Sequence, residues 1–544
     1  MGMPSLLSRR LLAAVGVLAV SAALAGCATP STPDEQTLVY AIEGANLSAG
    51  HMDPHSSQLD VSALVQRAVL DSLIALDNDG TFVPWLAKSW EISDDQLHYT
   101  FELRDDVTFS DGEKFDAAAV KANFDHVTAP ETASAEAASS SGYSEDGGSY
   151  LDTEVVDDYT VRVNFSKPYA PFLEAISTAS LGMYSPKVLS EKADQLKTGG
   201  PGITVGSGPF ILSEYTPDQE IVYTANPDYN WGPANAEHTG PSDIDKLVVR
   251  ILPEASVRAG ALTSGEVQVA GNVTPATVSQ IGDGFTVNSV ELPGVPYSIY
   301  LNEKYGVFAD QKVREAFSIG FDAQSAVDSI FFGQYPRAWS ILGPTTPNSY
   351  DPSLEGTWPY DPDKADQLLD EAGWTGRDAD GYRTKDGVRL SARWIAYTPI
   401  PDDRAALADV VQSDLKKIGF EIVREPLEPA AYNEQYGPKT FDLTDWGFSG
   451  VDADILRNHL HTGGFQHASQ VSDPEVDALL DDAVATSDPA ERAELYGKLQ
   501  QWNASNNVIV PIYVPSLITA LSDSVKGLTF DLYGRPLFYG ASVN

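Results

Sequence analysis

Cysteine is almost absent: Cys27 is the only one in 544 residues. The remainder of the chain therefore has no disulfide, no thiolate metal site and no cysteine nucleophile. Positive charge is scarce as well, with 35 Lys+Arg against 77 Asp+Glu and a formal net charge of −42. Such a field repels phosphate backbones and argues against nucleic acid as a partner. A solubilising acidic surface and a preference for cationic ligands both remain open. The one long apolar run, residues 11–25, is shorter than the about 20 residues that a membrane-spanning helix needs. Enzyme signatures are missing too. Gly206-Ser207-Gly208 runs into Pro209, which makes it a turn and not a nucleophile elbow. There is no His-Glu-x-x-His and no Gly-rich phosphate loop ending in Lys-Ser or Lys-Thr. Chance carboxylate pairs at glycosidase spacing stay open among so many acids. No repeat of fixed period occurs.

What is present begins at the N-terminus. Arg9-Arg10, the apolar run and the small residues ending in Leu24-Ala25-Gly26-Cys27 have the three regions of a secretory signal. The tetrad resembles the lipobox of bacterial lipoproteins, which implies cleavage before Cys27 and lipid on its thiol. A plain signal with an incidental cysteine is the alternative. Residues 1–26 are thus expected to be a lipoprotein signal peptide, and 27–35, rich in Pro, Ser, Thr and acids, a tether. The length that follows is enough for two or three lobes with sizeable cores and no disulfides.

Leu38, Tyr40 and Ile42 alternate as in a strand. Asp60 is placed to cap a helix carrying Val61, Leu64, Val65, Ala68, Val69 and Leu73 at helical spacing. Pro84 to Ser93 and His98 to Leu103 read as a hairpin of large alternating residues, and Phe109-Ser110-Asp111-Gly112 as a turn. Asp116 then caps a helix in which Val120 and Phe124 are four apart. Residues 130–150, rich in Ala, Ser, Glu and Gly, read as a low-complexity surface insertion.

The block from Pro84 to Gly112 resembles the signature stretch of the peptide/nickel family of extracellular solute-binding proteins of ABC importers. Further matches follow in the family's order: Gly206-Ser207-Gly208-Pro209-Phe210, Asn226-Pro227-Asp228-Tyr229, and Leu301-Asn302 with Phe308-Ala309-Asp310 and Val313 to Ser318 leading to Asp322. Tyr360-Asp361-Pro362 with Leu368 to Trp374, and finally Val510-Pro511-Ile512-Tyr513, complete the series. The resemblance runs from about Thr37 to the C-terminus. It implies an α/β, two-lobed periplasmic-binding-protein-like fold with an inserted β-rich subdomain. Lobe I is expected at 36–76, 204–293 and 505–544, the insert at 77–203 and lobe II at 294–504. The crossings are expected near Leu292-Pro293-Gly294 and Trp502-Asn503.

The implied function is capture of a peptide or similar small solute by lobe closure. Delivery would be to the permease and ATPase subunits of an importer, by a monomer held by lipid on the outer face of the cytoplasmic membrane. It implies no cofactor and no bond made or broken. A lipid-anchored hydrolase, or a non-transport receptor or chaperone on the same fold, are the alternatives. In the family a strand ending in Trp-x-x-Asp carries an acid that holds a peptide amine. Here the strand reaches Trp446, and Ser449 occupies the acid's position, with Asp452 at the second acid and Ala453 in place of Pro. Ser449 therefore speaks against a clamped peptide amine, although Asp452 could substitute. Asp452 or Asp454 could equally cap a helix from Ile455 to Leu460. Trp446, Phe448 and Tyr297 are candidates for the cleft wall, with core packing as the competing role. Ser57 and Gln58, beside Ser56, fall in the loop that runs along the ligand in peptide-binding relatives. His459 and His461 could face one side of a strand with His467 nearby; solvated loop histidines are the expectation and a metal or haem role the alternative. Pro54 forbids a continuous helix between His51 and His55, which argues against a metal pair there.

Replacing Cys27 by Ser is expected to leave the fold unchanged and abolish lipid attachment, because no partner thiol exists. Labelled palmitate incorporation measures it; incorporation equal to the parent would refute the lipobox reading.

Overall fold

The structure is a computed structural model that describes residues 36–57, 59–134 and 149–544. The predicted signal peptide, the tether and Gln58 lie outside the described residues, as does most of the predicted insertion. Among the described residues no helix is long and apolar enough to cross a membrane.

Thr37–Ile42 is a strand near the centre of a seven-stranded sheet. It runs parallel to Lys246–Ile251 on one side and to Val269–Ala270 on the other. Leu38, Tyr40 and Ile42 enter one core with Leu64, Val69, Phe210 and Tyr223. The opposite face is covered too, since Ala41 packs with Leu262, Ile518 and Ala520. The alternation in the sequence thus marks the larger of two buried faces.

A second, five-stranded sheet has the order 421–427, 391–397, 443–449, 294–301 and 509–513. Every residue of Gly294–Leu301 is buried. Ile299 and Leu301 pack with Phe308, Phe317 and Trp394 on one side, while Val295 and Tyr300 pack with Leu456, Leu480 and Tyr496 on the other. A strand covered on both faces reads as continuous apolar sequence. The chain passes between the two sheets twice. Phe285–Glu291 leads through Leu292-Pro293 into Gly294–Leu301, and Ile509–Tyr513 leads through Val514-Pro515 into Ser516–Ser522. The second crossing therefore lies beyond Trp502-Asn503, which fall inside the helix Pro489–Asn506. Nothing in the local pattern betrayed that helix as continuous through Trp502, because its end is set by Asn507 in the left-handed conformation.

The hairpin Ala87–Ile92 with His98–Leu103 forms as expected and joins Thr160–Phe165 and Tyr150–Asp157 in a four-stranded sheet. The helix Ala117–Thr128 covers it, capped by Asp116 Oδ1, which accepts from the Ala119 N–H at 2.9 Å. Asp310, Asp322 and Asp361 cap their helices in the same way. Asp60 does not: it is the first residue of the short helix Asp60–Gln66, and its carboxylate goes to Arg535. After Gln66 the chain leaves the helix, and Ala68 and Val69 turn their carbonyls toward the Gly-Ser-Gly-Pro-Phe segment.

That contact explains the glycines. The Gly208 N–H donates to Val69 O at 2.8 Å, and the Phe210 N–H to Ala68 O at 3.0 Å. A Cβ on Gly206 would sit 2.1 Å from Val69 O, and one on Gly208 2.6 Å from both the carbonyl carbon and oxygen of Val69. Two backbones meet here and neither can yield. Gly208→Ala is expected to cost about 2–3 kcal/mol, the upper range for overpacking, read as a lowered urea midpoint at unchanged slope; an unchanged midpoint would refute the close approach.

Candidate functional site

A cavity of about 510 Å³ opens where the helix Asp60–Gln66 and its exit meet the insert and the C-terminal segment. Its wall is drawn from residues 64–68, 75–78, 174–178, 233–238 and 527–540, with Val451 arriving from beyond the end of the strand Leu443–Ser449. Trp85, Tyr229, Phe538 and Tyr539 give it aromatic surface, and Arg67, Glu174, Tyr533 and Arg535 give it polar groups. An apolar wall with a few placed polar groups is the usual character of a small-molecule site.

Arg67 is fixed by its neighbours. Its Nη1 donates to Leu70 O at 3.2 Å and Ser72 Oγ at 2.9 Å, its Nη2 to Ser177 O at 2.9 Å, and its guanidinium lies 5.1 Å over the Trp85 ring. Burial pulls its pKa down to about 10, against the pull of the Asp71 carboxylate. No salt bridge of Arg67 occurs among the described residues. Arg535 is the opposite case: Nε donates to Asp60 Oδ1 at 2.7 Å and Asp531 lies at 3.8 Å. Burial lowers its pKa, yet the Asp60 and Asp531 charges outweigh it and the net shift is upward. Arg535 also lies 4.2 Å over the Tyr533 ring. The Tyr533 hydroxyl accepts from the Val451 N–H at 3.2 Å and donates to Glu174 Oε1 at 3.4 Å.

Asp71 lies behind this wall, fully buried. Its carboxylate accepts from Ser207 Oγ at 3.0 Å, Trp231 Nε1 at 3.1 Å and Tyr229 OH at 3.4 Å. Burial pushes its pKa up to about 7, in spite of those bonds and the Arg67 charge.

The residues singled out from sequence sit elsewhere. Ser57 is buried, with its Oγ accepting from Ser62 Oγ at 3.0 Å and from the Leu59 N–H. The Tyr297 hydroxyl donates to Asp445 Oδ2 at 2.5 Å, and Trp394 Nε1 and Arg404 Nη2 donate to the same carboxylate at 2.7 Å each. Trp446 lies with its ring centroid 4.6 Å from that of Tyr300. Phe448 and Ser449 are exposed at the strand end, Ser449 pairing with Gly294. Asp452 is held by Arg492 through two bonds of 2.7 and 2.8 Å, and its Oδ1 also accepts from the Asp454 N–H at the start of Ile455–Leu460. None of these side chains lines the cavity, although Asp452 adjoins Val451 in the chain. His459 departs from expectation. It is fully buried in that helix, with Nδ1 3.2 Å from Tyr300 OH, because the segment is a helix packed on the sheet and not a loop. Burial lowers its pKa to about 3. Among the described residues no group of three or more His, Cys, Asp or Glu is arranged to hold a metal ion.

Sequence reasoning missed Arg67, Glu174, Tyr533 and Arg535. The one local signal was Asp531-Leu532-Tyr533-Gly534-Arg535, a charged and aromatic turn close to the C-terminus.

Two α/β sheets joined by two crossings, with an inserted β-subdomain, are the architecture of a periplasmic binding protein. Residues 81–465 match the family model of bacterial extracellular solute-binding proteins, family 5 (middle region), and the chain belongs to that family. It is 29% identical over 508 residues to heme-binding protein A of Haemophilus influenzae, covering 88% of this chain and 87% of the relative. It is 27% identical over 543 residues to the glutathione-binding protein GsiB of Salmonella paratyphi A, covering 96% and 97% respectively. The crystal structure of NikA from Brucella suis in complex with Fe(III)-EDTA superposes with a TM-score of 0.78 at 26% identity, over 94% of this chain and 100% of that one. The two sequence relatives are binding proteins by name, and family 5 supplies the solute-binding subunits of ABC importers.

Asp71 provides a pH test of the wall's foundation. Its ordinary pKa is 3.8 and its folded value about 7, so between those limits the folded chain keeps a proton that the unfolded chain releases. Stability from this group is complete below about pH 4 and falls as pH rises to about 7. Asp71→Asn should lose less stability than the parent between pH 5 and 7.5 in urea titrations; equal losses would refute the buried carboxyl.

Proposed function

We propose that this protein is the lipid-anchored receptor of an ABC importer, held through Cys27 on the outer face of the cytoplasmic membrane. It takes up a small, peptide-like solute in the 510 Å³ cavity and presents it to the permease. The lobe assignment follows the sequence reading, with the seven-stranded sheet in lobe I and the five-stranded sheet in lobe II. The second crossing is moved to Val514-Pro515. In this reading the structure is the closed form, and ligand binding selects it from an open–closed equilibrium.

The observation that carries the proposal is the charge inventory of the cavity. Arg535 is already neutralised by Asp60 and Asp531, which leaves Arg67 as the lining cation with no carboxylate in ion-pair range among the described residues, the Asp71 charge acting on it from farther off. A buried guanidinium short of an opposite charge favours a ligand that brings one, because charge-assisted bonds are strong where water is excluded. The ligand's carboxylate is therefore assigned to Arg67. Neither Ser449, exposed and neutral, nor Asp452, taken by Arg492, is offered as the partner of an amine.

A thermal-shift screen of di- and tripeptides, followed by calorimetry on a hit, tests the reading. Arg67→Met is expected to weaken binding by about 10- to 100-fold, the loss of a charged partner. Amidating the C-terminal carboxylate of the same peptide should weaken it equally, and Ser449→Asp should change affinity less than two-fold, within about 0.4 kcal/mol. Binding unaffected by both Arg67→Met and amidation would refute it.

A further inference from the structure

The insert is not carried passively on lobe I; it touches the half of the molecule built on the five-stranded sheet. The Ala170 N–H donates to Val484 O at 2.9 Å, and the Ser487 N–H donates to Gln96 Oε1 at 2.7 Å. The Val484 side chain packs against the insert's own core. At a third place, a Cβ on Gly80 would lie 2.7 Å from Pro347 Cβ. These contacts lie at the rim. One joint lies on the cavity wall itself, the Tyr533 hydroxyl between the Val451 N–H and Glu174.

Both sides of that joint are rigidly held. On the second-sheet side, the Gly450 N–H donates to Pro293 O at 3.1 Å, the Asp454 N–H to Asp452 Oδ1 at 2.7 Å, and Arg492 grips Asp452. Val451 is buried between these anchors. On the other side, the Tyr533 N–H donates to Asp531 Oδ1 at 3.0 Å, and Arg535 covers the ring while bound to Asp60. Any separation of the two halves must therefore break the Tyr533–Val451 bond, because neither loop has slack to follow.

We infer that Tyr533 is the latch of the closed form, a positioning residue whose hydroxyl ties the Val451 loop to the insert across the cavity wall. The inference rests on the reading of this cavity as the closed cleft. A solute filling the cavity packs against the Tyr533 ring and holds the latch shut, so occupancy and closure are coupled through one side chain.

The scarcity of cysteine makes the test clean. In the full chain carrying Cys27→Ser, Ala170→Cys and Val484→Cys introduce the only two thiols. The backbone bond between these residues brings their Cα atoms into the roughly 4.4–6.8 Å range of a disulfide. The rate of cross-linking under mild oxidant, without ligand, then reports how often the halves meet. Cross-linking is expected in this parent, and Tyr533→Phe, which keeps the ring over Arg535 and deletes only the hydroxyl, should slow it at least five-fold. The melting temperature of the reduced protein should stay within about 2 °C, a readout that a merely structural role would move instead. Val451→Pro removes the donor from the other side and should slow cross-linking to a similar extent, which keeps the test decisive if the first variant folds poorly. No cross-link in the parent would overturn the closed-cleft reading beneath the latch. Cross-linking at the parent rate in both variants would overturn the latch alone.

Discussion

The buried carboxyl of Asp71 is the interaction on which the half that carries the cavity depends. It gathers Ser207 from the Gly-Ser-Gly-Pro turn, Tyr229 and Trp231 from the turn after Asn226-Pro227, and the charge of Arg67 from its own segment. Three stretches far apart in sequence are thereby fixed to one point, and each contributes to the cavity or stands directly behind it. A buried carboxyl without such donors would be costly, whereas a satisfied one specifies its surroundings closely. The glycines at 206 and 208 belong to the same arrangement, since only their bare backbone lets the turn approach Val69 near enough for Ser207 to reach Asp71.

From this knot the cavity wall is built outward by cations in unequal states. Arg535 is saturated by Asp60 and Asp531 and serves as structure, stacking on Tyr533. Arg67 is oriented by carbonyls and hydroxyls that fix its position, and among the described residues it forms no ion pair, the buried Asp71 acting on it only at longer range. The distinction matters in a chain with a net charge of −42. An acidic surface does not recruit anionic solutes by long-range attraction, so the proposed recognition of a carboxylate rests on a short-range, desolvated contact.

The two halves are joined at the two crossings. Leu292-Pro293 and Val514-Pro515 are short and adjacent, since Leu292 N donates to Pro515 O at 2.8 Å. The two links run side by side in opposite directions, continuing the antiparallel pairing of Phe285–Glu291 with Ser516–Ser522 and of Gly294–Leu301 with Ile509–Tyr513. Contacts between the halves away from these crossings, such as those of Val484 and Tyr533, add to the links that the crossings make.

The sequence by itself determined much of the fold. The strand Thr37–Ile42, the hairpin Ala87–Ile92 with His98–Leu103 and the caps at Asp116 and Asp361 are set by residues within a few positions of one another. Side-chain alternation, turn glycines and capping oxygens act over that range, so they are legible in one dimension. The order of the family's motifs likewise pointed to the class of protein that the family match bears out. The site was a different matter. Asp60 offered itself as a cap and instead pairs with Arg535 across 475 positions; Tyr533 meets Glu174 across 359 and Val451 across 82. Asp452, with the appearance of a ligand acid, is taken by Arg492 from a helix 40 residues on. A charged side chain announces only that it needs a partner, and which partner it finds depends on how the sheets bring distant loops together. That choice belongs to the tertiary structure, because the energies that decide it, desolvation and the geometry of the donors, do not exist until the chain has folded.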